Sequence, residues 1–354
     1  MKELIRKTIS FCPACLSKIE AEVVERDNGV YLEKHCYRDG DFELLISKHP
    51  KYYKAIHDVY FSLFRNSLPQ KDYLVNITNR CNLNCPICLA GSNRDVMLDF
   101  PKDKLAEFLL GKKGYKIGLM GAEPTLREDL PEIIAMIVKS GNIPELHTNG
   151  IKLIDLRYLE KLKNAGLKEV HLQFDGFDDE VYLKIRGKSL LDAKMKTLRN
   201  LKQNGFSVDL KVTILKGVNE KEMAKILDFG LKNSFVKEVF FLGCRFLGRA
   251  RGLGQDLFYM PDELVDIIEK QAPALFNRGD MRRFLKLYYL MLKIFKSRKC
   301  FYNQHYIILR KKGSALPISG ILNLKAIEDK IEFILAKKGK LDSRLSALNY
   351  CLIF

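Results

Sequence analysis

The sequence predicts an α/β protein whose core is a partial (β/α)6, TIM-like barrel, preceded by a small N-terminal metal-knuckle unit and followed by a C-terminal α+β extension. Three observations lead to this fold. Six short apolar segments alternate with segments of helical period, which is typical of a parallel sheet with helical crossovers. Polar or glycine-rich residues follow several of the apolar segments, where parallel folds carry their chemistry. Six of the nine cysteines lie before residue 89, which indicates metal binding near the N-terminus.

The pattern divides the chain into four segments. We expect a zinc-ribbon or rubredoxin-like knuckle over 1–48, a linking helix over 49–71, the barrel over 72–250, and an extension over 251–354 that caps the barrel. Within the knuckle, the alternation of "EAEVVERDNGVYLEKHC" predicts a hairpin that turns at Asp-Asn-Gly, 27–29.

The barrel elements follow from periodicity. The predicted strands are 73–78, 116–121, 145–149, 169–175, 207–214 and 238–243. The predicted helices are 101–111, 129–140, 155–165, 189–204 and 220–232. Beyond the barrel, "PDELVDIIEKQ" predicts a helix, a hairpin turns near Lys312 and Gly313, and the last twenty residues are expected to be helical.

The charge balance bounds the partners and the location. The chain has 60 Lys and Arg against 43 Asp and Glu, a net charge of +17, which favours nucleic acid, phosphorylated small molecules or a membrane face. No apolar run is long enough to span a bilayer, and the first fifteen residues lack the apolar core of a signal peptide. We therefore expect a cytoplasmic protein, soluble or peripheral to the membrane.

Three closely spaced thiols, Cys81, Cys85 and Cys88, follow the first barrel strand. Three thiolates do not complete a four-coordinate zinc site, but they can bind three irons of a [4Fe–4S] cluster and leave the fourth iron open. The alternative is a set of incidental or zinc-linked thiols.

The C-x3-C-x2-C spacing after the first strand, followed by "GAEPT" at 121–125, resembles the radical SAM superfamily. Ala122 departs from the more usual glycine. The resemblance implies that Cys81, Cys85 and Cys88 bind a [4Fe–4S] cluster. It also implies that Gly121, Ala122 and Glu123 hold the amino group of S-adenosylmethionine (SAM).

The same resemblance extends to the following strand ends, "HTNG", "LQFDG" and "KVTILKGVN". The further SAM contacts that it implies are Thr148, Asn149, Gln173, Asp175, Arg186 and Thr213. Gln173 or Asp175 would meet the ribose hydroxyls, and Arg186 would pair with the SAM carboxylate. The implied activity is reductive cleavage of SAM to a 5′-deoxyadenosyl radical that abstracts hydrogen from an unactivated carbon, with an external electron donor. No catalytic residue is assigned beyond the cluster ligands.

The N-terminal thiols Cys12, Cys15 and Cys36 resemble a zinc-ribbon or rubredoxin-like knuckle that binds Zn or Fe. The fourth ligand is open between His35, Asp39 and a group from elsewhere. A turn without metal is the alternative.

An N-terminal CPxC knuckle before a barrel that contains "LQFDGFDDEVYLKIRG" resembles the archaeal tetraether lipid synthase group, which also includes proteins associated with methylation of a pterin. The resemblance implies a transferase of lipid biosynthesis that forms a C–C bond on, or otherwise modifies, a lipid alkyl chain. Radical methylation of a pterin or another small molecule is the second reading. Only Cys244, Cys300 and Cys351 remain for auxiliary clusters, so we do not expect a full set.

The segment 282–299 is both apolar and basic. It fits an interfacial helix at an anionic lipid surface, and it fits better a core helix with a solvated basic side. A zinc-ribbon protein that binds nucleic acid is the alternative of another class, but the chain has no RNP, homeodomain or helix-turn-helix pattern. We therefore do not expect a nucleic-acid partner.

Overall fold

The computed structural model describes residues 2–64, 72–93, 99–245, 247–254, 257–295, 303–311 and 314–336. They form two compact units: one comprises the residues before 70 together with those from 260 onward, and the other comprises residues 70–259. The N-terminal sheet therefore shares a unit with the C-terminal helices.

The described residues contain twelve strands and ten α-helices. The strands are β1 Glu3–Phe11, β2 Lys18–Arg26, β3 Gly29–Cys36, β4 Gly40–Ser47, β5 Asp72–Thr78, β6 Lys116–Gly121, β7 Ile143–Thr148, β8 Glu169–Gln173, β9 Ser207–Ile214, β10 Val236–Gly243, β11 Ile308–Lys311 and β12 Ser314–Pro317. The helices are α1 Pro50–Leu63, α2 Lys102–Leu109, α3 Leu130–Lys139, α4 Leu156–Asn164, α5 Asp179–Arg186, α6 Leu191–Gln203, α7 Met223–Lys232, α8 Pro261–Gln271, α9 Arg278–Ile294 and α10 Leu324–Ala336.

The 70–259 unit is a six-stranded parallel sheet in the order β10-β9-β8-β7-β6-β5, with helices between the strands. The partial (β/α)6 barrel that the sequence predicts is confirmed, with strand bounds that differ by at most two residues. Strand β8 ends at Gln173, which leaves Asp175 in the following loop. All six strands run in the same direction, so their C-terminal ends meet at one edge.

The two faces of this sheet differ in chemistry. Leu146, Val170 and Leu210 are fully buried on the face that packs against the helices. Val239 lies on this same face, against Gly230 of α7. Because side chains alternate along a strand, the intervening residues point to the concave inner face of the partial barrel. That inner face is polar, as described below.

The other unit begins with an antiparallel sheet in the order β1-β2-β3-β4. The predicted hairpin is confirmed: Arg26 pairs with Gly29, and Asp27 and Asn28 both have positive φ, as a type I′ turn requires. The predicted C-terminal hairpin is confirmed by the pairing of β11 with β12, while the turn residues themselves lie outside the described part.

Helix α9 is a core helix, which confirms the favoured interpretation of the basic segment. Leu285 and Tyr289 are fully buried in a cluster with Tyr60 of α1 and Val23 of β2. On the same helix, Lys286 is 4% exposed and donates to Glu328 of α10 at 2.6 Å. Arg282, Arg283 and Lys286 of this segment thus pair with Glu328 inside the unit.

Two further expectations lie partly beyond the described residues. The predicted C-terminal helix falls mostly in 337–354, outside the described part, and the capping of the barrel by the extension stays a prediction. None of the described helices combines the length and the apolar character that crossing a membrane requires.

Candidate active site

The three thiols at residues 81–88 occupy the loop that follows β5, at the C-terminal edge of the parallel sheet. Cys85 is 8% exposed and packs with Leu83, Tyr182 and Leu190, and Cys81 and Cys88 pack against the same cluster. The three thiols therefore belong to one cluster of packed side chains. Burial raises the pKa of the Cys81 thiol to about 11. Among the described residues, the groups of His, Cys, Asp and Glu close enough to form a compact metal site all lie elsewhere, so no tetrahedral zinc site includes these thiols.

The segment after β10 holds the cysteine loop in place. Arg249 donates from Nε to the Cys85 carbonyl oxygen at 2.8 Å and from Nη1 to the Ser92 carbonyl oxygen at 2.5 Å. Its backbone N–H donates to the Cys88 carbonyl oxygen at 2.9 Å. Gly248 has a φ of +57°, and a Cβ there would overlap the Cys88 carbonyl oxygen. Sequence reasoning did not single out Arg249, although its place between Gly248 and Ala250, shortly after the last barrel strand, could have pointed to it.

Glu123 is fully buried at the end of β6, and its carboxylate is satisfied by internal donors. Oε1 accepts hydrogen bonds from Thr125 Oγ1 at 2.6 Å and Thr148 Oγ1 at 2.7 Å, and Oε2 accepts from the Asn149 N–H at 2.7 Å. The carboxylate thus ties the end of β6 to the end of β7. At Gly121, with a φ of +133°, a Cβ would overlap the Thr78 carbonyl oxygen, so this position requires glycine.

Asp175 and Arg186 form a buried ion pair. Arg186 donates from Nε to Asp175 Oδ2 at 2.7 Å and from Nη2 to Oδ1 at 3.0 Å, and the side chains of Arg186 and Asp175 are 11% and 0% exposed. Oδ1 also accepts from the Thr213 N–H at 3.1 Å, and Oδ2 accepts from Gln173 Nε2. The Asp175 carboxylate raises the pKa of Arg186 in spite of its burial, so the guanidinium stays charged.

Two buried polar residues that the sequence reasoning missed complete this edge. Lys194 of α6 is 1% exposed and donates from Nζ to the Asn149 carbonyl oxygen and to Gln173 Oε1, both at 2.5 Å. Burial lowers its pKa to about 7. Asn219 is fully buried and donates to the carbonyl oxygens of Asp175 and Thr213, both at 2.9 Å. The sequence could have revealed that Lys194 is buried, because it has helical spacing with the buried Thr197, Leu198 and Leu201 of α6.

A second constellation lies at the ends of the N-terminal strands. Asp39 Oδ2 lies 3.1 Å from both Cys12 Sγ and Cys36 Sγ, and Cys15 Sγ lies 3.7 Å from Cys36 Sγ. A tetrahedral zinc with sulfur and oxygen ligands has edges of about 3.5–3.8 Å, so this set needs little movement to bind one. His35, the other candidate fourth ligand, is largely exposed and bonds instead to Asp41 at 2.7 Å.

Comparison with known proteins identifies the family. Residues 75–230 match the radical SAM superfamily, and residues 4–48 match the HMPTM N-terminal zinc ribbon domain. The 7,8-dihydro-6-hydroxymethylpterin dimethyltransferase of Methanocaldococcus jannaschii is 31% identical, over 93% of this chain and 74% of its own length. The chain belongs to the radical SAM superfamily.

Other similar proteins match a smaller share of this chain. The GTP 3′,8-cyclase of Aliarcobacter butzleri is 32% identical over 47% of this chain, which spans about half (53%) of the cyclase. A solved structure of hexahistidine-tagged anSMEcpe with bound AdoMet has a TM-score of 0.50 and 18% identity, covering 66% of this chain and 68% of that one. The likeness to anSMEcpe shows a common fold.

The cofactors of this radical SAM enzyme are a [4Fe–4S] cluster and SAM, and the zinc ribbon match over residues 4–48 points to zinc near the N-terminus. The described residues fit these groups. Three thiols that pack together, and that form no compact metal-ligand group with another described residue, suit a [4Fe–4S] cluster with one open iron. Cys244 is buried in a neighbouring apolar cluster, and the remaining two cysteines, 300 and 351, lie outside the described residues.

Replacing Arg249 by methionine is expected to loosen the cysteine loop. The change removes the side-chain hydrogen bonds to the Cys85 and Ser92 carbonyl oxygens, each worth about 1.5–3 kcal/mol because the donor is charged. We expect less iron per chain after anaerobic reconstitution and faster bleaching in air. The exposed Arg251, in the same turn, provides the matched Arg251→Met control. Equal iron retention in both variants and in the wild type would count against this role.

Replacing Asp39 by alanine is expected to weaken zinc binding, because three thiolates then leave the tetrahedral site incomplete. Loss of a chelate ligand should appear as faster zinc release to a chromophoric chelator. His35→Ala is the control and should release zinc at the wild-type rate. The assignment of Asp39 fails if the His35 variant, and not the Asp39 variant, releases zinc faster.

Proposed function

We propose that this radical SAM enzyme methylates a pterin. The observation that carries the proposal is the similarity to the M. jannaschii pterin dimethyltransferase, which extends across 93% of the chain and includes both the ribbon and the barrel. A similarity over about half of the chain (47%), as with the cyclase, would support only the superfamily chemistry.

The polarity of the barrel interior supports a pterin over a lipid alkyl chain. Neighbouring strands place Glu145, Glu169, His171 and Asp209 on the concave face, in register with one another. A lipid alkyl chain would form no hydrogen bonds with these charged groups, although it would take them out of water. A compact polar ring system would give them hydrogen bonds. The lipid alternative has no comparable support among the described residues.

The proposed cluster ligands are Cys81, Cys85 and Cys88, whose side chains pack in the same local cluster. The reduced cluster would supply the electron that cleaves SAM, and an external donor would reduce the cluster. The protein's task is then to bind, orient and shield SAM at the adjacent strand ends.

For SAM we propose a division between contact and positioning residues. The Glu123 carboxylate is already satisfied, so the backbone carbonyls at Gly121 and Ala122 would accept from the SAM ammonium while Glu123 positions them. Asp175 is likewise saturated and fully buried. The partly exposed Gln173 would therefore meet the ribose, and Asp175 would hold Gln173 in place.

We assign the remaining predicted residues to the binding or orientation of SAM as well. Thr148 and Asn149 line the pocket from the end of β7, and Asn149 Nδ2 lies 4.0 Å from Cys81 Sγ. Arg186 lies beside Thr213 Oγ1 at 3.3 Å and would approach the SAM carboxylate from the Asp175 pair. Each of these side chains acts by binding or orienting SAM rather than by acid–base chemistry.

The proposal is tested by the pterins of anaerobic cultures that express the chain and are fed 7,8-dihydro-6-hydroxymethylpterin. Living cells supply the reductant and one-carbon donors. Mass spectrometry should find methylated pterins in cells with the wild-type chain and none in cells with Cys85→Ala. Identical pterin profiles, together with a purified chain that still cleaves SAM, would contradict pterin methylation and leave the superfamily chemistry intact.

A further inference from the structure

Two layers of polar side chains cross the concave face of the barrel. Strand register places Glu145 beside Glu169 in one layer. In the next layer, His147 lies beside His171, and His171 beside Asp209. The two layers thus bring acidic and imidazole side chains of three neighbouring strands together.

His171 is the centre of this group. It is 8% exposed, and neither of its ring nitrogens has a hydrogen-bond partner. Three carboxylate oxygens face its Nε2: Glu169 at 3.4 Å, Glu145 at 3.6 Å and Asp209 at 3.7 Å. The neighbouring His147 ring lies 4.2 Å away, and burial lowers its pKa to about 3, so that ring is neutral. The buried Nδ1 of His171 has no partner, which is costly unless a ligand supplies one.

Two lysines near these carboxylates favour a neutral heterocycle over a divalent cation as the ligand. Lys116 pairs with Glu145 and Glu169, and Lys211 lies 3.6 Å from Asp209. Two ammonium groups among the carboxylates would repel a divalent cation. The same groups suit a neutral heterocycle that has both N–H donors and a carbonyl, since carboxylates accept from the donors and an ammonium donates to the carbonyl.

The polar side chains around His171 lie close to the C-terminal strand ends where SAM is proposed to bind, as a substrate site requires. Gln173, the proposed ribose contact, lies two residues after His171 on β8 and points to the same face. Two residues of strand span about 6.6 Å. A ring bound at His171 would therefore lie directly below the C-terminal strand ends where SAM is proposed to bind.

We propose that Glu145, His171 and Asp209 form the recognition site for the aminopyrimidinone half of the pterin. This inference rests on the proposed function. The ring N–H and the exocyclic amino group donate to the carboxylates, and the carbonyl accepts from Lys211. The site thereby selects a 2-amino ring over one with an oxygen at that position, because a second carbonyl would face carboxylates and find no donor.

The test is calorimetric titration of the anaerobic holoprotein. The probes are 7,8-dihydro-6-hydroxymethylpterin and the lumazine analogue, in which a carbonyl replaces the 2-amino group. The wild type should bind the pterin at least about tenfold more tightly than the analogue, as expected for hydrogen bonds to charged acceptors. Glu145→Gln and Asp209→Asn should each weaken pterin binding about tenfold to a hundredfold and reduce the discrimination.

Two controls separate recognition from folding. Asp228→Asn, on the exposed side of α7, makes the same chemical change away from the barrel interior and should bind like the wild type. The iron content and the circular dichroism spectrum of Glu145→Gln and Asp209→Asn, measured on the titrated samples, should equal those of the wild type if the cluster and the fold remain.

The possible results separate a failure of the recognition site from a failure of the proposed pterin methylation. A wild type that binds no pterin overturns both. Pterin binding that is unchanged in Glu145→Gln and Asp209→Asn overturns the recognition site alone. Equilibrium dialysis with Mn²⁺ tests whether these residues bind a metal instead. The inference is overturned if the wild-type chain binds one Mn²⁺, and if Asp209→Asn loses that ion while its affinity for the pterin is unchanged.

Discussion

Replacing Cys85 by alanine is expected to reduce the formation of 5′-deoxyadenosine from SAM below detection. Cys85 is the most deeply buried of the three thiols in the loop after β5. Without it only two protein ligands remain, which no longer defines a cluster with a single open iron. The product is measured by chromatography after anaerobic incubation with SAM and dithionite, and the iron content is measured on the same sample.

Cys244→Ala is the matched control for this experiment. Cys244 is also buried, in the neighbouring cluster with Ile87 and Val181, so both variants remove one buried thiol from the same unit. We expect Cys244→Ala to keep its iron and its SAM cleavage. Full turnover in Cys85→Ala, or equal loss in both variants, would contradict the assignment of the cluster ligands.

Replacing Asp175 by asparagine is expected to destabilise the barrel by about 3–5 kcal/mol, because it leaves the buried Arg186 charge uncompensated. Asparagine also cannot accept from Arg186, Thr213 and Gln173 in the way that the carboxylate does. Chemical denaturation under anaerobic conditions measures the loss, and SAM titration should show weaker binding.

A double variant distinguishes charge burial from a direct SAM contact. In Asp175→Asn with Arg186→Met, no buried charge is left unpaired, so most of the lost stability should return. SAM binding should stay weak, because Gln173 has lost its carboxylate partner and the guanidinium is gone. If the double variant is no more stable than Asp175→Asn alone, the ion pair is not the source of the loss.

Local pattern was sufficient to predict the barrel. Each strand is a short apolar run with β-branched residues, each intervening helix has one apolar stripe, and both signals lie within a few consecutive residues. The shared unit of ribbon and C-terminal helices was not predictable in this way. It depends on contacts between α1 and α9, which lie far apart in the chain and whose apolar faces carry no information about their partner.

The site was predictable where residue spacing carries the chemistry. The cysteine spacing and "GAEPT" pointed to the cluster loop and to Glu123. Whether Glu123 and Asp175 touch the ligand or position their neighbours depends on donors from other strands, such as the Thr213 N–H. Lys194 and Asn219 were missed for the same reason: each acts on backbone carbonyls that only the fold brings near.

The most direct test of the account is the electron paramagnetic resonance spectrum of the anaerobically reconstituted, dithionite-reduced protein before and after addition of SAM. The account predicts a [4Fe–4S]⁺ signal that changes shape when SAM occupies the open iron, and that is lost in Cys85→Ala. A signal that SAM leaves unchanged, or a colourless protein that holds only zinc, would contradict it.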